Sequence, residues 1–296
     1  MSKPHLTLVV AFLACQFLAP TVARAGDFEV EQGIAFCQAG QVELKLDLAY
    51  PVGGKGPYPA LIYIFGSGWG YWPAGRTECQ LDIMKAAERG YVAIAIDYRQ
   101  TNIKEGGQVK YRFPDQLHDA KGAVRWLRAN AEKYHVDPEH IGVAGYSSGG
   151  HIALMLGLTR PSDGLEGSCG DTDYSSSVQA VVSSAGPTEL KSQYNTDPDE
   201  AAAIEALIGG NPQQMALEYE KASPVSYVYR NSPPILTIHG DLDKDVPIEQ
   251  AFLLDRRMKE LGASHTLIIR KNAGHNDFTA EPEAFEFFDT YLKQKH

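Results

Sequence analysis

The segment Ile141-Gly-Val-Ala-Gly-Tyr-Ser-Ser-Gly-Gly150 decides how this chain folds, because it predicts a strand, a sharp turn and the start of a helix. It contains a Gly-x-Ser-x-Gly motif centred on Ser147, and the apolar residues 151–156 continue the helix. Glycines on either side of the serine permit a close approach of strand and helix, the geometry of a nucleophile elbow. Ser148 does not fit the motif, since Tyr146 lies two positions before it. A glycine-rich turn with an incidental serine is the alternative interpretation.

Residues 1–25 have the features of a signal peptide. A lysine precedes the almost wholly apolar residues 6–19, and Ala23-Arg24-Ala25 is a small-x-small cleavage site. The apolar run is too short for a membrane span, and the residues before Cys15 form a poor lipidation signal. We therefore expect export to the periplasm or the extracellular space, no stable membrane anchor, and a mature domain of residues 26–296.

The composition predicts a single acidic domain. The 296 residues carry a formal net charge of −10, and loss of residues 1–25, with one lysine, one arginine and no acid, makes it −12. An acidic chain without a basic cluster is not expected to bind nucleic acid. The remaining length suits one large α/β domain, and the sequence predicts no particular oligomeric state.

Three cysteines remain in the mature chain: Cys37, Cys79 and Cys169. An oxidising compartment permits one disulfide and leaves one thiol, but the sequence does not decide which two cysteines pair. None of them has the spacing of metal ligands, so we expect no metal site. No motif implies a cofactor.

The hydrophobic pattern predicts strands that alternate with helices. Besides the strand before Ser147, strands are expected at residues 42–49, 60–65, 91–96, 178–183, 235–239 and 266–269. Helices are expected at residues 78–89, 114–134, 252–261 and 283–293. Strands that are apolar on both faces predict an α/β fold with a mostly parallel central sheet and helices on both faces. In such folds the functional residues follow the carboxyl ends of the strands.

A serine that attacks a carbonyl needs a base, a group that orients the base, and donors for the oxyanion. His275 lies after Gly274 in the loop between the last strand and the last helix, the place in chain order where the base is required. A surface-loop histidine is the alternative interpretation. Three other histidines fit less well because of their places within a strand, before a strand and at the head of a helix: His239, His265 and His151.

The orienting carboxylate is expected in the loop of residues 240–247, which contains three aspartates. Asp243 lies at the centre of this loop and is the candidate acid. Asp245 is its main rival, and Asp241 is better suited to holding the turn through its own backbone. The oxyanion donors are expected from the backbone of the glycine-containing loop 66–68 and from the N–H of Ser148.

Nearly the whole mature chain resembles an α/β-hydrolase, in particular esterases related to hormone-sensitive lipase and bacterial feruloyl and acetylxylan esterase-like hydrolases. The resemblance implies the α/β-hydrolase fold, Asp243 as the acid, and the N–H groups of Ser67, Gly68 and Ser148 as oxyanion donors. The segments that carry it are Phe65-Gly-Ser-Gly-Trp69, Phe113-Pro114 to Asp119, Trp126-Leu-Arg128, Val136-Asp-Pro138, the motif through His151, Ala222-Ser-Pro224, His239-Gly-x-x-Asp243-x-x-Val246-Pro247 and Gly274-His275.

The chain departs from the family pattern in the loop of residues 65–69. Phe65 stands where those esterases usually have histidine, and Ser67 stands where they have the middle glycine of His-Gly-Gly-Gly-Trp. Because the histidine commonly braces the loop, these two residues bear on loop geometry and on the shape of the acyl pocket rather than on the nucleophile.

Four aromatic residues are candidate substrate-binding residues: Trp69, Tyr71, Trp72 and Tyr146. Aromatic side chains near a site favour recognition of a substrate, and packing of the loop on the core is the alternative. Residues 193–219 interrupt the regular alternation of strands and helices. They predict a small helical cap that would set the specificity for acyl group and alcohol.

These features together predict an exported serine carboxylesterase that forms an acyl-enzyme on a small-molecule ester. Short-acyl or aryl esters, including acetyl or feruloyl esters of plant polysaccharide, are the expected substrates. A serine peptidase or amidase of the prolyl-oligopeptidase type shares the elbow and the triad order. A catalytically silent α/β-hydrolase used for binding is the alternative from another functional class.

Overall fold

A computed structural model of the protein describes residues 27–70 and 72–293, so the expected signal peptide and Tyr71 lie outside the described residues. The strands are β1 (Phe28–Ala39), β2 (Val42–Pro51), β3 (Tyr58–Ile64), β4 (Val92–Ile96), β5 (Lys104–Glu105), β6 (Gln108–Val109), β7 (Val136–Tyr146), β8 (Ala180–Ser184), β9 (Ile235–Gly240) and β10 (His265–Arg270).

The centre of the molecule is an eight-stranded sheet in the order β1-β2-β4-β3-β7-β8-β9-β10. The pairs β1–β2 and β2–β4 are antiparallel, whereas every pair from β4 to β10 is parallel. The short strands β5 and β6 form a separate antiparallel hairpin. The expected α/β fold with a mostly parallel sheet is confirmed.

The helices of the described residues pack against this sheet or lie between its strands. They are α1 (Gln80–Glu88), α2 (Asp115–Ala129), α3 (Ala131–Tyr134), α4 (Ser148–Leu158), α5 (Leu190–Tyr194), α6 (Pro198–Ile208), α7 (Ala216–Lys221), α8 (Glu249–Leu261) and α9 (Pro282–Leu292). Single 3₁₀ turns occur at Gly75–Cys79, Pro161–Asp163 and Pro224–Tyr227. Helices α5, α6 and α7 lie between β8 and β9, where the sequence predicts a cap over residues 193–219.

The central strands are buried on both faces because helices cover both sides of the sheet. Every residue of β4 and of β8 is buried. Helix α4 is almost wholly apolar and packs against β7, β8 and α2, which explains why nearly all of it is buried. The turn between β7 and α4 is therefore flanked by a buried strand and a buried, tightly packed helix.

The structure differs from the sequence-based expectation at several elements, including the hairpin of β5 and β6, which the sequence did not predict. Strand β1 was not expected, and its pairing with β2 contains two register shifts that interrupt the alternation of apolar and polar residues. The helix expected at residues 114–134 is divided into α2 and α3 at Asn130, whose backbone and side-chain N–H groups both donate to Trp126 O.

One disulfide joins Cys37 of β1 to Cys169 in the segment between α4 and β8, with a Cα–Cα distance of 5.6 Å. Cys79 is a buried free thiol at the start of α1. The pairing that the sequence left open thus connects the edge of the sheet to a long loop, 132 positions further along the chain.

Candidate active site

Ser147 occupies the sharp turn between β7 and α4. Its backbone has φ 54° and ψ −123°, a conformation that costs free energy for a residue with a side chain and that occurs mainly at functional sites. The two flanking glycines leave no room for a side chain. A Cβ atom at Gly145 would lie 2.1 Å from Gly149 O, and one at Gly149 would lie 2.1 Å from Ile64 O. The motif glycines are thus required by the close approach of strand, turn and helix.

Ser147, His275 and Asp243 form a continuous line of hydrogen bonds. His275 Nε2 lies 2.9 Å from Ser147 Oγ, and His275 Nδ1 lies 2.8 Å from Asp243 Oδ2. An ionised carboxylate only accepts hydrogen bonds, so the imidazole proton lies on Nδ1 and Nε2 is free to accept from the serine hydroxyl. This is the arrangement in which a histidine can withdraw a proton from a nucleophile.

The loop that carries His275 is fixed from several sides. Ser184, at the carboxyl end of β8, donates through its hydroxyl to Asn276 O at 3.0 Å and accepts from the Phe278 N–H at 3.0 Å. The hydroxyl of Tyr146 donates to His275 O at 3.1 Å. The ring of Tyr146 also packs against the imidazole, with 4.9 Å between the ring centres.

Asp243, rather than its rival Asp245, lies next to the imidazole. Asp243 Oδ1 accepts the N–H groups of Asp245 at 3.1 Å and Val246 at 2.9 Å, which leaves Oδ2 directed at His275. Burial would raise the pKa of Asp243, but hydrogen bonds from two histidines and from the Val246 N–H outweigh it and hold the pKa well below its ordinary value. The side chain of Asp245 is exposed.

His239 is a second histidine at this carboxylate, and sequence reasoning treated it only as a strand residue. Its Nε2 donates to Val246 O at 2.7 Å and lies 3.3 Å from Asp243 Oδ2. The sequence spacing could have predicted this contact, because His239 lies near the end of a strand and only four positions before Asp243, so the loop between them is short. The other two histidines serve different contacts: His265 pairs with Asp255, and His151 is buried under the loop of residues 65–69.

The expected oxyanion donors differ in availability. The Ser67 N–H, expected to point toward the substrate, donates instead to Ser148 Oγ at 2.8 Å. Gly68 has φ +58°, and no hydrogen bond within the described chain uses its N–H. The Ser148 N–H belongs to the first residue of α4 and has no intrahelical acceptor. Two backbone donors, at Gly68 and Ser148, are therefore free for an oxyanion.

The aromatic residues expected to contact the substrate differ in their exposure and in their hydrogen-bond partners. Trp69 is 1% exposed and does not line an open slot; its Nε1–H donates to His151 Nδ1 at 3.1 Å, and His151 Nε2–H donates to Ala222 O at 2.7 Å. Burial lowers the pKa of His151 to about 4, so the imidazole stays neutral as this pair of bonds requires. Trp72 is 45% exposed and bonds to Glu78.

Helix α6 lies next to the loop of residues 65–69. A Cβ atom at Gly68 would lie 3.6 Å from the Cβ of Ala203, so α6 runs beside the loop that carries one free donor. Glu200, one turn earlier, accepts from Gln193 Nε2 at 3.1 Å, and the same nitrogen donates to Asp245 O at 2.7 Å. Burial raises the pKa of Glu200, opposed by the bond from Gln193.

Two further properties concern the described chain as a whole. None of the helices within residues 27–70 and 72–293 combines the length and apolar character needed to cross a bilayer. Over the same residues, no group of three or more His, Cys, Asp or Glu side chains is arranged to hold a metal ion.

Comparison with known proteins finds esterases among the similar chains. A model of the BD-FAE family matches residues 46–258. Esterase LipC of Mycobacterium tuberculosis is 31% identical over 228 residues, which cover 74% of this chain and 53% of LipC. This chain spans about half the length of the curated relatives it matches.

Solved structures give more complete matches. A truncated carbohydrate esterase from gut microbiota has a TM-score of 0.78 and 27% identity, covering 93% of this chain and 99% of its own. A propionate-bound esterase of Thermogutta terrifontis has a TM-score of 0.69 and 26% identity, covering 93% of this chain and 97% of its own.

Proposed function

The chain belongs to the BD-FAE family of α/β-hydrolase esterases, and on this basis we propose that it is an exported serine carboxylesterase that works through an acyl-enzyme on Ser147. The observation that carries the proposal is the line of hydrogen bonds from Ser147 through His275 to Asp243, at the carboxyl edge of the sheet. A surface histidine or an incidental serine would have no reason to adopt this alignment.

In the first half of the reaction, Ser147 Oγ attacks the ester carbonyl while His275 Nε2 takes its proton. The imidazolium that forms is stabilised by the ionised Asp243, whose pKa is held low by its hydrogen bonds. The negative charge on the former carbonyl oxygen is accepted by the N–H groups of Gly68 and Ser148. His275 then protonates the leaving alcohol, and an acyl group remains on Ser147.

In the second half, water takes the place of the alcohol. His275 Nε2 accepts a proton from the water as it attacks the acyl carbon, and the same two N–H groups stabilise the second oxyanion. Collapse of this intermediate returns the proton to Ser147 Oγ and releases the carboxylic acid. The groups that contact the reacting atoms in both halves are the triad and the two backbone donors.

We propose short-acyl or aryl esters as substrates, with acetyl or feruloyl esters of carbohydrate as the natural class. The names of two similar structures, a carbohydrate esterase and a propionate-bound esterase, support this choice. Glu200 supports it from within the chain, because no lysine or arginine forms an ion pair with this carboxylate in the described residues and it is near enough to His275 to interact with it electrostatically. Such a carboxylate accepts hydrogen bonds from sugar hydroxyl groups and disfavours substrates with an acidic acyl chain.

Export is supported by the sequence of residues 1–25 and by the Cys37–Cys169 disulfide, since disulfides persist in oxidising compartments. Detection of the chain in the periplasm or medium, with its amino terminus near Gly26, would test this part of the proposal. Retention in the cytoplasm with residues 1–25 attached would contradict it.

The activity is tested with p-nitrophenyl esters from acetate to octanoate, methyl ferulate and acetylated xylan fragments. Wild type, Ser147→Ala and the control Ser226→Ala are compared; Ser226 is an exposed serine beyond the cap. We expect turnover that falls with acyl length, is lost in Ser147→Ala and is unchanged in Ser226→Ala. Cleavage of peptide p-nitroanilides without ester turnover would favour a peptidase, and a folded wild type inert toward both would favour a binding protein.

A further inference from the structure

The loop that carries the Gly68 donor is held by hydroxyl groups outside the triad. Tyr98, just after β4, is buried; its hydroxyl donates to Ser67 Oγ at 2.9 Å, and Phe65 O is a second, more distant acceptor at 3.3 Å. Ser67 Oγ donates to Gly70 O at 3.0 Å, and the Ser67 N–H donates to Ser148 Oγ at 2.8 Å. We call Ser67, Tyr98 and Ser148 the hydroxyl network.

The network remains in one protonation state over the working range of a hydrolase. Burial raises the pKa of Tyr98 to about 12, and hydrogen bonds with the hydroxyls of Ser67 and Ser148 partly offset this rise. Tyr98 therefore keeps its proton and remains a donor. Tyr98 and Ser148 are buried and Ser67 is partly buried. The loss of one hydroxyl therefore leaves its neighbours without a partner that water cannot easily replace.

Phe65 explains why the loop needs such a network in this chain. Its side chain stacks on Tyr98, with ring centres 4.6 Å apart and 20° between the planes, but it has no group that can form a hydrogen bond to the loop. A histidine at this position could brace the loop directly. Here the aromatic stack fixes the tyrosine ring, and the tyrosine hydroxyl supplies the polar contact.

We propose that Tyr98 is a positioning residue for the oxyanion hole, acting through Ser67 on the N–H of Gly68. The inference rests on the proposed function. Ser67 directly precedes one donor, Gly68, and its N–H is bonded to the side chain of Ser148, whose backbone supplies the other donor. The network thus fixes the distance between the two N–H groups, and the Ser67 N–H is used to hold the hole rather than to bind the oxyanion.

The test compares Tyr98→Phe with Tyr91→Phe. Tyr91 precedes the same strand at its opposite end, is also buried, and donates to Asp289 at 2.6 Å, so it controls for the loss of a buried tyrosine hydroxyl. Loss of a whole oxyanion donor costs about 10²- to 10³-fold in kcat. Since Tyr98→Phe loosens a donor without removing it, we expect kcat to fall about 10- to 100-fold with KM within about threefold.

Three further measurements separate positioning from stability. Ser67→Ala, which removes the hydroxyl and keeps the backbone, should lower kcat similarly, and the double variant with Tyr98→Phe should be little worse than either single variant. Addition of Phe65→His to Tyr98→Phe should restore part of kcat by bracing the loop from the other side. A trifluoromethyl ketone, whose adduct with Ser147 carries an oxyanion, should bind more weakly in proportion to the loss of kcat/KM.

The proposal is overturned if Tyr98→Phe and Ser67→Ala keep kcat within about twofold of wild type, or if Tyr91→Phe loses as much. The rate at which a fluorophosphonate labels Ser147 is measured on the same variants, because it depends on the hole but not on the natural ester. If wild type is labelled but turns over no ester, the proposed substrate class fails, while the labelling rates still decide the role of Tyr98.

Discussion

Replacement of Asp243 by asparagine should invert the hydrogen bonding of His275, the proposed general base, while leaving the loop in place. Asp243 Oδ1 accepts two backbone N–H groups, from Asp245 and Val246. In the variant, the amide oxygen must keep this position, because the opposite orientation would direct an NH₂ group at two donors and leave both unsatisfied. Each buried unsatisfied donor costs about 1–3 kcal/mol. The amide nitrogen therefore takes the place of Oδ2 and points at His275 Nδ1.

An amide N–H at that position can only donate, so His275 Nδ1 must become the acceptor and the ring proton moves to Nε2. Nε2 then no longer accepts the proton of Ser147, from which it lies 2.9 Å in the native arrangement. The same inversion in serine hydrolases with this triad lowers kcat by about 10⁴-fold. That factor corresponds to about 5.4 kcal/mol of transition-state stabilisation.

The assay is the turnover of p-nitrophenyl acetate by wild type, Asp243→Asn and Asp245→Asn, with thermal unfolding measured in parallel. Asp245→Asn is the matched control, because only the backbone of this exposed residue contacts Asp243 and Gln193, and kcat should stay within about twofold. The reasoning is refuted if Asp243→Asn keeps more than about one-tenth of the wild-type kcat, or if Asp245→Asn is equally impaired.

Burial raises the pKa of Asp82 to about 6, above its value of about 3.9 in an unfolded chain. The folded state therefore loses stability as the pH rises through 6, because the buried carboxyl must then ionise. Asp82→Asn should increase the free energy of unfolding by up to about 3 kcal/mol near pH 7.5 and little near pH 4. Equal effects in urea unfolding at both pH values would contradict this. Cys37→Ser, which breaks the bond to Cys169, should cost about 2–5 kcal/mol, and dithiothreitol should lower the Tm of wild type only. Trp69→Phe leaves His151 Nδ1 without a donor and should cost about 1–3 kcal/mol without changing acyl preference; an altered preference would show that the indole lines the site.

The elements that the sequence predicted best are those whose pattern depends on local physics. Strands β3, β4 and β9 are short, mostly apolar segments buried on both faces. The turn at Ser147 requires glycines, and these are recognisable in the sequence as the Gly-x-Ser-x-Gly motif. Strand β1 escaped prediction because it is an edge strand whose alternation is broken by two register shifts. The disulfide could not be assigned because its cysteines are 132 positions apart, and only the packed structure brings them together.

The hydrogen bond of the Ser67 N–H could not be predicted from the sequence, because a motif gives the position of a donor in the chain but not the acceptor that it contacts in the fold. The acceptor here is the hydroxyl of Ser148, 81 positions away, and an alanine after the nucleophile would have left the Ser67 N–H free. Phe65, Ser67 and Ser148 therefore belong to one structural solution, in which hydroxyl groups replace a bracing histidine and occupy one potential oxyanion donor. A hole with two free backbone donors follows from that combination, and so does the sensitivity of catalysis to Tyr98, a residue that touches neither substrate nor triad.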